Sequence, residues 1–337
     1  MDVCIIGGTG NISASIVRLL QDKGHTVTVF NRGQTGPAPA GVRLIRGDRY
    51  DREAFETRLR QERFDAVIDM MCFTAEDARS SLRAFPEAGH FVVCSTVCTY
   101  GIDDDRLPAA EDHPLRPITD YGRDKAAADA VFLEAFDERG YPATVIKPST
   151  TYGPVQGLIR QIAWDFSWLD RIRKGKPIVV CGDGGARHQH LHVDDAALGF
   201  VGVLGERHTF GQVYNLVREG FVTWADYHRT AMAVLGRETP LVGVPFEELQ
   251  RMDVPEFDIC EEIFAHDTWY SAEKVYREVP GFRPEISLSD GMARVIAAMD
   301  RQGRIPDSDR LGWEDEIIAV HGSRRSTSTV SGADDIV

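Results

Sequence analysis

The chain has 337 residues, 43% of them hydrophobic, and sets 38 lysines and arginines against 52 aspartates and glutamates, for a net charge of -14. That length builds one large domain or two lobes around a substantial core, and the acid surplus repels phosphate backbones, so neither nucleic acid nor an anionic membrane is expected as a partner. No apolar run approaches the ~18 residues a membrane span needs, and the chain opens directly into a strand pattern without the basic start of a secretory signal.

In chain order, β-rich runs at residues 3–6, 26–30, 42–45, 66–69, 91–94 and 144–146 alternate with helical patterns at 51–61, 75–85 and 121–139. Between the first two runs, Ile12, Ile16, Leu19 and Leu20 recur at helical spacing. This alternation predicts an α/β fold, a doubly wound parallel sheet covered on both faces. After Pro148 the rhythm breaks into Gly/Pro-punctuated stretches, with further helices expected over 194–204, 223–235 and 288–300. The expected division is a dinucleotide-binding domain over 1–155 and a smaller α/β C-terminal substrate lobe over 156–322, partly interleaved with the first. A disordered tail is expected over 323–337, which is rich in Ser, Thr, Gly and Asp. The six cysteines lie mostly inside apolar runs, with no C-x-x-C pair. That pattern suits buried thiols in a reducing cytoplasm.

Residues 7–13, GGTGNIS, join the first strand to the first helix. Gly7, Gly8 and Gly10 let the backbone turn tightly and approach a pyrophosphate, while Thr9, Asn11 and Ile12 complete a loop that runs into the helix start, where free N–H groups and the helix dipole favour an anion. The usual third glycine is Ser13. The second strand ends in Asn31-Arg32, where a grip on an NAD ribose calls for an acid. Neutral Asn31 tolerates a 2′-phosphate and Arg32 can pair with one, a lean toward NADP; a solvated surface arginine is the other reading. Asp48, after the third strand, suits a contact to the adenine amine.

Tyr121 and Lys125 stand four apart, so they share one helix face. An ammonium beside a phenol favours the phenolate, and Lys125 is therefore expected to lower the Tyr121 pKa. A tyrosine so tuned can exchange a proton with a substrate hydroxyl while hydride passes to nicotinamide. Alone, the spacing also fits an ordinary surface pair; the glycine loop and Ser95-Thr96 turn the judgement toward chemistry.

With these pieces in order, joined by GD at 47, CSTVCTYG at 94–101, IKPSTTYGP at 146–154 and HVDDAA at 192–197, the sequence resembles the extended short-chain dehydrogenase/reductase family, the NAD(P)-dependent epimerase/dehydratase group. FNRG at 30–33 and DTWYSAEK at 267–274 resemble an atypical branch of bacterial epimerase-like proteins and plastid RNA-associated relatives. The resemblance implies a Rossmann-type sheet and a Thr96 that orients the reacting oxygen, with Ser95 beside it as a substrate contact. It makes Tyr121 the acid/base and Lys125 a ligand of the nicotinamide ribose. Pro148 and Ser149 would lie along the nicotinamide. The family's 4,6-dehydratases carry Asp-Glu after the catalytic Thr; Val97-Cys98 stands there, so 4,6-dehydration is not expected. Cys98 falls where C3/C5 epimerases place a catalytic cysteine, or is a small core residue beside Cys94.

In 187–195, RHQHLHVDD, an extended backbone would put His188, His190 and His192 on one face, a metal-like pattern. The resemblance makes His192, Asp194 and Asp195 scaffold instead, and no metal is expected. Many relatives grip a diphosphate with an arginine at the His188 position. Arg187 sits one place early, which puts a nucleotide diphosphate in doubt, and Arg187, His188 and His190 remain substrate candidates. The basic residues Arg160, Arg171, Arg173, Lys174 and Lys176 either attract an anionic substrate or form a solvated helix face. The expected function is an NAD(P)-dependent epimerase or oxidoreductase acting on a hydroxyl-bearing carbon of a sugar or sugar nucleotide. The alternatives are an NADPH-dependent ketone reductase and, third, a non-catalytic dinucleotide-binding or RNA-associated scaffold. A cytoplasmic homodimer, packed through the 75–85 and 121–139 helices, is the expected assembly.

Overall fold

The computed structural model describes residues 1–34, 38–103 and 105–330, with 324–330 as backbone only. In chain order it opens with β1 (Asp2–Ile6), α1 (Asn11–Asp22), β2 (Thr26–Asn31), β3 (Val42–Arg46), α2 (Arg52–Leu59), β4 (Ala66–Asp69), α3 (Ala75–Ala84) and β5 (Phe91–Cys94). After a 3₁₀ turn at Val97–Thr99 come α4 (Asp120–Arg139), β6 (Ala143–Pro148), β7 (Thr150–Tyr152), α5 (Ser167–Lys174), β8 (Ile178–Cys181), β9 (Arg187–His188), β10 (His190–His192) and α6 (Val193–Gly202). The remainder is β11 (Gln212–Leu216), β12 (Val222–Thr223), α7 (Trp224–Leu235), β13 (Leu241–Val244), α8 (Phe246–Leu249), α9 (Glu273–Glu278), α10 (Leu288–Arg301) and α11 (Trp313–Val330).

Seven strands form one sheet in the order β11-β6-β5-β4-β1-β2-β3, with every pairing parallel. All six strands expected in the first half of the sequence are in it. The seventh, β11, comes from beyond Pro148; its five-residue length and the polar Gln212 and Asn215 within it hide it among the loops of that region. Apolar side chains on one face of the sheet, such as Val3, Ile5, Val27 and Val29, pack with Ile16 and Leu20 of α1 and Phe200 of α6. The other face sets Cys4, Ile6, Val67, Phe91 and Val93 against Phe55, Ala78 and Phe132. Helix starts are capped by side chains at Asp51, Thr74 and Thr119, so each crossover begins at a fixed residue. At the β11 edge, Glu111 accepts from the Asn215 N–H at 2.9 Å and Lys274 donates to the Val213 carbonyl at 2.9 Å.

The chain divides at several points, not one. The first unit holds 1–156, 189–221 and 269–286; the second holds 157–188, 222–268 and the stretch from Ser287. The sequence beyond Pro148 therefore returns two segments to the first unit, one of them to supply β11. Helical backbone in α11 runs to Val330, through the first part of the segment expected to be a disordered tail. Its early turns are anchored by buried Ile317, and elongation adds one hydrogen bond per residue. The rest of that expected tail, 331–337, lies outside the described residues. Among the described residues no helix is long and apolar enough to cross a membrane.

In the second unit the basic stretch is neither a solvated face nor an open anion site. Arg160, fully buried, is bidentate to buried Glu314 at 2.6 Å, and Arg171 reaches Asp315 at 2.7 Å. Arg173 pairs with Asp300, Lys174 with Asp170 and Asp309, and Lys176 with Asp309. Trp168 is buried and donates its indole N–H to the Leu158 carbonyl, which makes it packing, while Trp164 is exposed.

Two predictions come from this packing. Glu314→Ala strands a buried guanidinium and is expected to destabilise by about 3–5 kcal/mol. Asp309→Ala, at an exposed pair, should change stability by less than about 1 kcal/mol. Urea midpoints of the two variants measure the contrast. Burial also lowers His90 from the ordinary 6.5 to about 4, and both His188 and His228 to about 3. Their folded values lie below the unfolded one, so the unfolded chain takes up protons first. Stability is full above about pH 6.5 and is lost as pH falls toward the folded values. Unfolding midpoints should drop between about pH 7 and about pH 5, with a shallower drop in His90→Gln; equal slopes in both proteins would contradict this.

Candidate active site

The C-terminal ends of β1, β2 and β3 open onto a cavity of about 250 Å³ lined by residues of the glycine loop, by Asn31, Arg32 and Gly33, and by Asp48 and Tyr50. Strand order reverses between β1 and β4, which is where an open parallel sheet leaves a crevice. Gly7 has φ +84°, and a Cβ there would sit 2.4 Å from Met71 Cγ; one on Gly8 would sit 2.6 Å from Val29 Cγ2. Only glycine closes this loop against the sheet. Ser13, the departure from the usual third glycine, is buried; its hydroxyl donates to the Gly7 carbonyl at 2.7 Å and accepts from the Gly10 N–H at 2.8 Å. Asn11, at the helix start, clamps Gln156 by side chain and backbone at 3.1 and 3.2 Å.

At the rim, Asn31 Oδ1 accepts from the Gly33 N–H at 2.8 Å. Arg46, at the end of β3, is the register partner of Asn31, and its Nε lies 3.1 Å from where a Gly33 Cβ would be. Arg32 and Arg46 are both exposed, and neither has a carboxylate partner among the described residues. Arg46 belongs to none of the sequence motifs; its one signal is an arginine ending the third strand. Asp48 lines the cavity with one carboxylate oxygen accepting from the Tyr50 N–H at 2.9 Å. Arg49 is turned inward onto the Met71 and Asp77 carbonyls, Asp69 and Ser81, bracing the floor on which Gly7 sits.

The second group of residues gathers at the ends of β5 and β6 and the start of α4. Thr96 caps the 3₁₀ turn by accepting from the Cys98 N–H at 3.2 Å. Tyr121 is 45% exposed, with its ring 6.4 Å from that of Phe73. Lys125 is buried and donates to the Cys72 and Cys94 carbonyls at 2.8 and 2.7 Å, with its nitrogen 5.8 Å from the centre of the Tyr121 ring. The nitrogen also lies 4.5 Å from the centre of the Phe73 ring, and no third hydrogen bond is made among the described residues. The expectation that Lys125 lowers the Tyr121 pKa is corrected: burial first, then the thiols of Cys94 and Cys98, push the phenol above its ordinary range, while hydrogen bonding to Thr96 pulls the other way. The ammonium is held by two carbonyls beneath the ring. A phenol held protonated can donate a proton.

Cys98 is half-buried in the turn, close enough to bear on Tyr121. Ser95 is not available as a substrate contact: its hydroxyl donates to buried Asp129 at 2.7 Å. Ser149 follows Pro148 at the end of β6; its buried hydroxyl has no hydrogen-bond partner among the described residues. The glycine cradle, the spare Lys125 proton and this orphaned Ser149 hydroxyl together fit a nicotinamide dinucleotide.

The substrate candidates in the histidine segment separate. Arg187 is paired with Asp267 through backbone and side chain, at 2.8 Å for the N–H. His188 is buried, stacked on Trp224 at 5.4 Å and bonded to Thr268 at 3.0 Å, which makes it core. His190 is buried on β10 opposite Thr150, and His192 caps α6 through the Asp194 N–H. His188 belongs to β9, which pairs with β12, whereas His190 and His192 belong to β10, which pairs with β7, so the three do not lie on one continuous strand. Asp195 accepts from the Glu285 and Ile286 N–H groups, a scaffold role.

Comparison with known proteins agrees with this layout. The pattern of the NAD dependent epimerase/dehydratase family matches residues 3–216. The 2'-dehydrokanamycin reductase of Streptomyces kanamyceticus is 30% identical over 315 residues, 93% of this chain and 88% of that protein. The chloroplast stem-loop binding protein of 41 kDa b of Arabidopsis thaliana is 28% identical over 86% of this chain and 77% of its own length. Among solved structures, the UDP-glucose 4-epimerase of Thermotoga maritima superposes with a TM-score of 0.72 at 19% identity, over 90% of this chain and 99% of that one. The UDP-glucuronic acid 4-epimerase of Bacillus cereus does so at 0.71 and 17%, over 90% and 100%. These two likenesses establish the fold. A glycine cradle at a sheet switch point, a Tyr-x-x-x-Lys helix facing it and a family pattern spanning most of the sheet lead to one conclusion: the chain is an enzyme of the NAD dependent epimerase/dehydratase family.

Proposed function

We propose that this enzyme reduces a ketone on a sugar or sugar-derived ring with NADPH as a released cosubstrate, and catalyses the reverse oxidation of the secondary alcohol. The observation that carries the reading is the β2 end of the dinucleotide cavity, where Asn31 stands in place of a carboxylate and Arg32 and Arg46 have no carboxylate partner among the described residues. A 2′-phosphate would find charge-assisted donors there; the acid that lines the cavity, Asp48, follows β3 and accepts from the Tyr50 N–H. When bound, the dinucleotide supplies the hydride. Thr96 and Tyr121 hold the carbonyl oxygen, and the Tyr121 phenol delivers the proton. Lys125 holds the ribose with its free proton, and Ser149 takes a polar group of the nicotinamide end. Val97 and Cys98 supply no Asp-Glu pair, so the elimination step of 4,6-dehydration has no acid and base of that kind. Arg187 is already paired and His188 buried, which speaks against a nucleotide diphosphate on the substrate. The name of the reductase relative at 30% identity agrees with this direction of chemistry.

One observation favours a second reading. Half-buried Cys98 beside Tyr121 suits a base acting on the carbon next to a ketone, an epimerisation. Turnover in deuterated water separates the two, because only Cys98 base chemistry places deuterium on that neighbouring carbon.

Two variants test the main reading. Arg32→Ala should weaken NADPH binding by about 10- to 100-fold, the value of a charged hydrogen-bonded contact, and leave NADH binding within about twofold. Fluorescence titration of both cofactors decides it, and equal losses for the two would remove the NADP assignment. Tyr121→Phe should lower kcat by about 10²- to 10⁴-fold with cofactor affinity retained. Unimpaired turnover would end the mechanism.

A further inference from the structure

Behind the catalytic residues lies an ion pair that the sequence reading did not anticipate. Asp129 is on α4 two turns past Tyr121 and one past Lys125, and it is 2% exposed. It meets Lys147 of β6, also buried, with Nζ 3.4 Å from Asp129 Oδ2. The same oxygen accepts from Ser95 at 2.7 Å, and Lys147 donates to Thr99 Oγ1 at 2.9 Å. Thr99 Oγ1 in turn donates to the Thr96 carbonyl at 2.9 Å. The Lys147 ammonium also sits over the Tyr100 ring, 4.7 Å from its centre. One pair therefore ties together α4, which carries Tyr121 and Lys125, the turn after β5, which carries Thr96, and β6, which ends in Pro148 and leads into Ser149.

We infer that the buried Asp129–Lys147 pair is the positioning device of this active site, fixing Thr96 relative to Tyr121 and setting the charge balance behind the phenol. The inference rests on the reading of Tyr121 as the proton donor. Two features of the network exceed what packing requires. Asp129 leaves its second oxygen buried with no hydrogen-bond partner among the described residues, an arrangement that an apolar pair of the same size would avoid. And both strand-end contacts, through Ser95 and through Thr99, bracket Thr96, whose hydroxyl is hydrogen-bonded with the Tyr121 phenol. Burial raises the Asp129 carboxyl and lowers the Lys147 ammonium, each drawn back by the other. The groups bearing on the Tyr121 phenol are Cys94 of β5, Cys98 and Thr96 of the turn, and Lys125 and Asp129 of α4, with the Phe73 ring packed alongside. Asp129 is the carboxylate of that set, and Lys147 is its counter-ion.

The test reads the phenol directly and needs no substrate. Phenolate absorbance is titrated in the full chain, each protein minus its own Tyr121→Phe partner, for wild type, Asp129→Asn and Lys147→Met. Asp129→Asn removes a negative neighbour and should lower the Tyr121 midpoint; Lys147→Met exposes the phenol to an uncompensated carboxylate and should raise it. In turnover, both should lose kcat by about tenfold or more, equivalent to about 1.4 kcal/mol, with KM within about twofold. Each single variant leaves half of a buried pair, which can itself unfold the chain. The Asp129→Leu/Lys147→Met double variant keeps volume, carries no stranded charge and is expected to fold, bind cofactor and still lose kcat. Lys147→Arg should restore most of it. Opposite midpoint shifts with a kcat loss support the inference; unmoved midpoints, or a folded double variant with wild-type kcat, overturn it. If Tyr121→Phe turns over normally while the midpoints shift as described, the fault lies with the functional reading and not with the pair.

Discussion

A parallel strand cannot return to its neighbour by a tight turn; it must cross over through a covering element. Everything in the first unit follows from that constraint. Each crossover leaves from the same end of the sheet, so loops that are far apart in sequence meet there: Gly7 to Gly10 after β1, Asn31 after β2, Asp48 after β3, Met71 after β4, Thr96 after β5 and Ser149 after β6. The site is a consequence of topology before it is a consequence of any one residue. The glycine loop is specific because Met71 and Val29 already occupy the space that a side chain would take.

Local pattern made the first half of the fold readable. Alternating apolar runs and capped amphipathic helices predict strands and helices whose ends fall within a residue or two of the observed ones, as in α4, expected over 121–139 and found at Asp120–Arg139. What stayed hidden was long-range. β11 lies in the sheet beside β6 through a pairing about 70 residues distant, and nothing in its five residues announces a partner. The chain's return to the first unit at 189–221 and 269–286 is of the same kind. At the site, the glycine cradle, Thr96, Tyr121 and Lys125 were legible because short motifs carry them. Arg46 was not, since only the β2–β3 register brings it beside Asn31. Ser95 and His188 were misassigned for a related reason: a polar residue near a motif looks available until its buried partner, Asp129 or Thr268, is seen.

The surplus of acid distributes in an informative way. Basic residues that looked free in sequence, Arg160 to Lys176, are consumed by acids of the same unit, and Arg187 by Asp267. Arg32 and Arg46, which have no acidic partner among the described residues, flank the dinucleotide cavity. In a chain of net charge -14, a locally basic rim is a place where an anion gains by docking against a repelling background.

The closed edge of the sheet carries a last consequence. Glu111 and Lys274 take up the outward N–H of Asn215 and the outward carbonyl of Val213 on β11. A second chain approaching that edge finds one donor and one acceptor already engaged, which weakens it as a template for strand addition. The same two side chains act against the edge-to-edge growth by which exposed strands seed aggregates.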